Sequence, residues 1–239
     1  MTSEETHMTL SPKRKNDSKS NQMVILVGIL IVAIIAAGVF IFISTNDTSL
    51  STADIDYSEI PQSRTEDGAF VLGNEDAPVT FVVFEDFLCP HCQAYQPDVH
   101  DMIQQLVATG QAKMEFRMVQ TNQVSYIPFS LVECADILEP GSFWDAHDTM
   151  FELAAARSFN ENTPRQFAEK MDIPYGDLLS CQPDATQYQV DGQFVQRFDW
   201  FSGTPAVGVR LNDGPVQQNP LLAGRPTVAQ FQQVVAAAQ

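Results

Sequence analysis

The chain reads as an α/β domain interrupted by a block of helices and joined to one N-terminal transmembrane helix. Three observations lead there. Residues 23–43 form an uncharged apolar run long enough to cross a hydrocarbon core. Residues 79–84 form a continuous apolar strand pattern that leads into Cys89-Pro90-His91-Cys92 and a helical pattern. Between about residues 128 and 201 the hydrophobic period turns helical, and strand patterns return only afterwards.

The N-terminal region divides by composition. Residues 1–22 are polar and without periodicity, and read as a cytoplasmic tail. Lys13, Arg14, Lys15 and Lys19 precede the apolar run, while Asn46 and Asp47 follow it, so the positive-inside bias exports everything after the run. A cleaved signal peptide has a shorter apolar core and an Ala-x-Ala site, which makes residues 23–43 a signal anchor, single-pass in the cell membrane. Residues 44–67, rich in Ser, Thr and Asp, read as an extracytoplasmic tether, and residues 68–239 as the folded domain. From Ser44 onward 27 acidic residues stand against nine basic ones. Such a surface repels polyanions, so nucleic acid is excluded as a partner.

Within the domain, residues 73–78 form a turn ahead of a strand that is apolar on both faces. A helix is expected from Pro90 to about Ala108, with Val99, Met102, Ile103, Leu106 and Val107 on one side. Residues 113–119 alternate Met114, Phe116 and Met118 with Lys113, Glu115 and Arg117, which predicts a strand with one exposed face. Helical patterns then cover residues 129–138, 142–156, 164–171, 175–181 and 185–198. Residues 206–211 are partly β-branched, Asn212-Asp213-Gly214 is a turn signal, and Val216 is placed to start a returning strand. A last helix is expected from about residue 227 to 237, with Val228, Phe231, Val234 and Val235 facing inward.

The chemistry is concentrated in the CxxC. Cys89 falls at a helix start, where unpaired N–H groups and the dipole favour a thiolate, and Pro90 suits the first helical turn. That makes Cys89 the nucleophile and Cys92, one turn on, the resolving thiol. His91 favours the thiolate further when protonated, which stabilises the dithiol and makes the disulfide oxidising. A zinc site needs two more ligands, yet the other cysteines stand alone and His100 and His147 lack ligand spacing. Disulfide exchange itself needs no metal or organic cofactor. All four cysteines follow the apolar run, and their even number allows three pairings. Pairing Cys89 with Cys92 leaves Cys134 and Cys181 as a structural disulfide, two buried thiols or a second redox pair; the disulfide is the expectation.

Three stretches carry a family resemblance: residues 81–92 ending in Cys-Pro-His-Cys, Phe143-Trp144-Asp145-Ala146-His147, and Gly203-Thr204-Pro205. They resemble the DsbA-like branch of the thioredoxin superfamily, especially its membrane-anchored bacterial members, over about residues 68–238. The resemblance implies a thioredoxin-like fold with an inserted all-helical subdomain, about residues 126–201. It also implies a cis Thr204-Pro205 bond facing the CxxC, where Thr204 offers backbone groups to an extended client. Reduced exported proteins would be the clients, and a membrane oxidase of the DsbB or vitamin K epoxide reductase type would restore the disulfide. Pro-His between the cysteines is the dipeptide of the strongly oxidising members. Phe87 and Phe201 either rim the thiol site, where they would hold unfolded client, or are ordinary core residues. Trp144 and His147 are expected to pack in the core. The family usually places a buried carboxylate six residues before the first cysteine, and Val83 stands there. Glu85 and Asp86 are the nearest acids; they either serve Cys92 in proton transfer or are solvated strand-end carboxylates.

The leading function is therefore a thiol:disulfide oxidoreductase that introduces disulfides into exported proteins. A reductase or isomerase would use the same dithiol in another direction, and a noncatalytic assembly factor would keep its function after Cys89→Ser. No dimerisation domain is legible in residues 44–67, which weighs against an isomerase.

Overall fold

The computed structural model describes residues 55–157 and 159–238. The apolar run at 23–43 and the tail before it lie outside the described residues; among those described, no helix is long and apolar enough to cross a membrane.

Five strands form one sheet in the order β1-β2-β4-β3-β5: β1 (Gln62–Arg64), β2 (Phe70–Leu72), β3 (Val79–Glu85), β4 (Lys113–Met118) and β5 (Ala206–Leu211). β3 lies between β4, parallel to it, and β5, antiparallel to it. Its central position is why every residue of β3 is buried. Alternation then separates two cores. Phe81 and Val83 point into the main core with Phe116, Phe129, Trp144 and Phe231, whereas Val82 and Phe84 face a smaller cluster with Phe194 and Val195. Val216 starts no full strand, because only Gln217 bridges back, to Val209.

Folded structure begins earlier than composition suggested. Tyr57–Glu59 is a 3-10 turn whose Asp56 carboxylate accepts from Ser58 N, and Tyr57 and Ile60 are core residues. The segment read as tether therefore supplies both β1 and part of the core, and its short polar elements gave no periodic signal.

The expected long helix after β3 is broken. α1 (Pro90–Gln93) ends at Ala94, α2 (Gln96–Met102) starts again, and a π-turn follows at Ile103–Val107. Pro97 in the first turn of α2 has no N–H to continue the helical ladder, so the chain restarts there. Five helices form the insertion: α3 (Tyr126–Leu138), α4 (Phe143–Arg157), α5 (Thr163–Lys170), α6 (Tyr175–Cys181) and α7 (Gln187–Val195). Cys134 of α3 and Cys181 of α6 are bonded, with Cα atoms 5.8 Å apart and a sequence separation of 47. α8 (Val228–Ala237) opens with a Thr227/Gln230 capping box and seats Phe231 against Phe81.

β4 departs from its expected exposed face. All six residues are buried, including Lys113, Glu115 and Arg117. Arg117 binds Asp67, Asp191 and Glu115, and Arg210 binds Glu115 from β5. The charged side of the strand is covered by partners distant in sequence.

Candidate active site

Cys89 caps α1. Its backbone is extended (φ −78°, ψ 117°), its carbonyl accepts from the N–H groups of Cys92 and Gln93, and Pro90 occupies the first turn. Pro90 and His91 are exposed, Cys89 is 8% exposed, and Cys92 is fully buried. Both cysteines are free thiols here. One sulfur of the pair thus meets the surface and the other faces the core, as sequential roles require.

Thr204-Pro205 is a cis peptide, and the pairing of Phe84 with Ala206 sets Pro205 beside the end of β3. The Cys89 thiol donates to the Thr204 carbonyl at 3.4 Å. The partly open sulfur thus lies against the backbone at the cis peptide.

Beneath the thiols lies the Glu85 carboxylate, fully buried. Burial, reinforced by the charge of Asp148, pushes Glu85 up to about 8, against the opposing hydrogen bonds of Gln96. The Cys92 thiol is pushed up as well, first by burial and then by the Glu85 charge, while the Asp86 backbone and the Thr204 hydroxyl favour its thiolate. The Glu85 carboxylate thus disfavours the Cys92 thiolate beside it. Val83 does stand where the family places its acid, and residues 83 and 85 share a face of β3, which puts the Glu85 carboxylate on the thiol side.

Asp86 is not a solvated strand end either. Its Oδ1 accepts from Leu88 N (2.9 Å), and its Oδ2 accepts from Thr121 N (2.8 Å), Thr121 Oγ1 (2.6 Å) and Ser125 Oγ (2.7 Å). With four donors on it, Asp86 ties the loop before Cys89 to the start of α3. Phe87 does not rim the site: it is fully buried against Phe129, His147 and Phe151. The side of an odd-numbered residue just past β3 leads inward, which its aromatic character alone could not reveal. Phe201 is half-buried against Phe84.

Trp144 and His147 are core residues as expected. His147 also belongs to a polar cluster that sequence reading missed. Asp148 accepts from Tyr57 Oη (2.7 Å), His100 Nε2 (3.2 Å) and His147 Nδ1 (2.9 Å). Burial opposes ionisation of Asp148, yet the two histidines hold it well below the ordinary carboxylate range; burial pulls the His147 pKa down. Gln96 was missed too, although its position four residues after Cys92 places it one helical turn away. Among the described residues no group of three His, Cys, Asp or Glu side chains is placed to hold a metal ion.

The thioredoxin family matches residues 65–195. Disulfide bond formation protein D of Bacillus subtilis is 37% identical over 87 residues, covering 36% of this chain. The match spans 39% of that relative's length. The solved structure of oxidised BdbD from Bacillus subtilis superposes with a TM-score of 0.57 at 26% identity, covering 70% of this chain and 91% of that one. Wolbachia pipientis alpha-DsbA1 superposes at 0.61 with 15% identity, covering 71% and 90%, a likeness of fold.

Proposed function

The chain belongs to the thioredoxin family, and from that premise we propose that it is a DsbA-type thiol:disulfide oxidoreductase that donates the Cys89–Cys92 disulfide to exported proteins. The observation that carries this reading is the asymmetry of the pair: Cys89, slightly open, touches the Thr204 carbonyl, while Cys92 is sealed over a buried acid. A client thiolate attacks the Cys89 sulfur and breaks the Cys89–Cys92 bond. Cys92 leaves as a thiolate and takes the proton held on Glu85. A second client thiolate then attacks the client sulfur of the mixed disulfide, and Cys89 departs as the thiolate. The client loses two electrons, and the pair gains them as the dithiol.

Thr204 and Pro205 bind the extended client through the backbone; Cys134 and Cys181 brace the helical insertion and take no part in exchange. Residues 23–43 anchor the chain in the cell membrane with the N-terminus cytoplasmic, a reading supported by the length of the run and its basic flank. A membrane oxidase of the DsbB or vitamin K epoxide reductase type would reoxidise the pair.

The reduction potential of Cys89–Cys92 tests the direction. An oxidase requires a value well above thioredoxin's, in the range of about −170 to −110 mV, together with oxidation of a reduced model client that Cys89→Ser abolishes. A potential near about −270 mV would assign the site to reduction instead.

A further inference from the structure

Gln96 makes an unusual set of contacts. Its Nε2 lies 3.2 Å from Glu85 Oε1, 3.3 Å from Glu85 Oε2 and 3.3 Å from the Cys92 carbonyl oxygen. Its Oε1, buried beside them, has no partner. An amide nitrogen has two hydrogens, so three acceptors share them, while one amide acceptor in the same cavity stands idle.

These two anomalies are halves of one arrangement. An ionised carboxylate only accepts, so facing it the amide must present its N–H groups. A protonated carboxyl donates once and accepts once, and it pairs with a primary amide through two bonds, O–H to the amide oxygen and N–H to the carboxyl oxygen. We propose that Gln96 is a positioning residue for the Cys92 proton: its amide donates to ionised Glu85 and, when Glu85 holds the proton, turns so that Oε1 accepts the carboxyl O–H. In the step it supports, Glu85 loses a proton to the Cys92 thiolate, leaving a carboxylate and a thiol. Gln96 itself gains and loses nothing. The inference rests on the exchange reading above.

The surroundings leave Gln96 this role. The titratable groups around Glu85 are Cys89, Cys92 and Tyr95 from the motif segment, Asp86 just after β3, and Asp148 of α4 with His147, His100 and Tyr57 bonded to it. Among the described residues no Lys or Arg is paired with Glu85. The hydrogen bonds recorded on its carboxylate all come from Gln96.

The test is an NMR titration of the full-length reduced protein, labelled at Glu carboxyl carbons and Gln side-chain nitrogens. The Gln96 NH2 signals are expected to shift with the same midpoint as the Glu85 carboxyl. Gln96→Met is expected to raise that midpoint by one pH unit or more, leaving about tenfold less ionised Glu85 near neutrality. The pH profile of Cys92 alkylation should move with it. Gln96 signals that stay flat through the Glu85 transition would overturn the proposal. The wild-type titration needs no variant to fold, and it reads equally in Cys89→Ser, so a chain that fails to exchange disulfides would refute the functional reading without deciding this one.

Discussion

Glu85 and Glu115 lie on neighbouring strands of one sheet and are both hidden from water, yet only Glu115 has cations beside it. Its Oε1 is 2.6 Å from Arg117 Nη2 and its Oε2 is 2.9 Å from Arg210 Nε. Arg117 is held in turn by Asp67 and Asp191 and lies over the Phe194 ring at 3.8 Å. Glu85, on the opposite face, has an amide and a nearby anion, Asp148. A buried charge must be compensated or neutralised. Ion pairing turns Glu115 into structure, and the lack of it leaves the Glu85 carboxyl pushed up to about 8.

The difference breaks most sharply at Arg117. Arg117→Met would leave Glu115, Asp191 and Asp67 without their shared cation, and the expected loss is about 3–5 kcal/mol in urea unfolding. A loss below about 1 kcal/mol would mean that the paired face is not held by its charges.

Glu85→Gln should act in the opposite direction. An acid whose pKa rises on folding, here from its ordinary value near 4.5 to about 8, holds a proton in the folded state that the unfolded chain has already released. Its favourable contribution is complete below about pH 4.5 and is lost as pH rises towards 8, at up to about 1.4 kcal/mol per pH unit. Reduced Glu85→Gln is therefore expected to exceed reduced wild type by on the order of 2–4 kcal/mol at pH 8, with the gain vanishing near pH 4.5. Unfolding curves at several pH values check this. A difference that does not vary with pH would remove the contrast between the two glutamates.

Arg210→Met is the mildest probe. The arginine is 21% exposed, and Glu115 keeps Arg117 after its loss, so about 1–2 kcal/mol is expected from the same unfolding measurement. A cost equal to that of Arg117→Met would show that the network fails as a unit.

The site was legible where its chemistry is local in sequence. Cys89 before a proline-led helix, Cys92 one turn on, and the Cys134–Cys181 pair left by parity needed no knowledge of the packing. Gln96 and Asp148 were within reach of helical spacing and adjacency, but neither residue type signals a role by itself. Phe87 was misplaced because an aromatic beside a motif suits a client groove as well as a core, and only the direction of its side chain separates them.

Local pattern, then, determined the strand that runs into the dithiol, the helical insertion, and the turn chemistry that bounds them, because these depend on side-chain period and on the backbone demands of proline and glycine within a few residues. Tertiary structure alone decided which charges are paired. The alternation of Lys113, Glu115 and Arg117 is the pattern of a wet strand face, and it became a dry one when Asp67, Asp191 and Arg210 arrived from remote segments. The same alternation put Glu85 on the face of Val83, yet whether that face held a cation depended on α4, which brought Asp148 instead. Electrostatic compensation is settled by neighbours in space, and sequence distance carries little record of them.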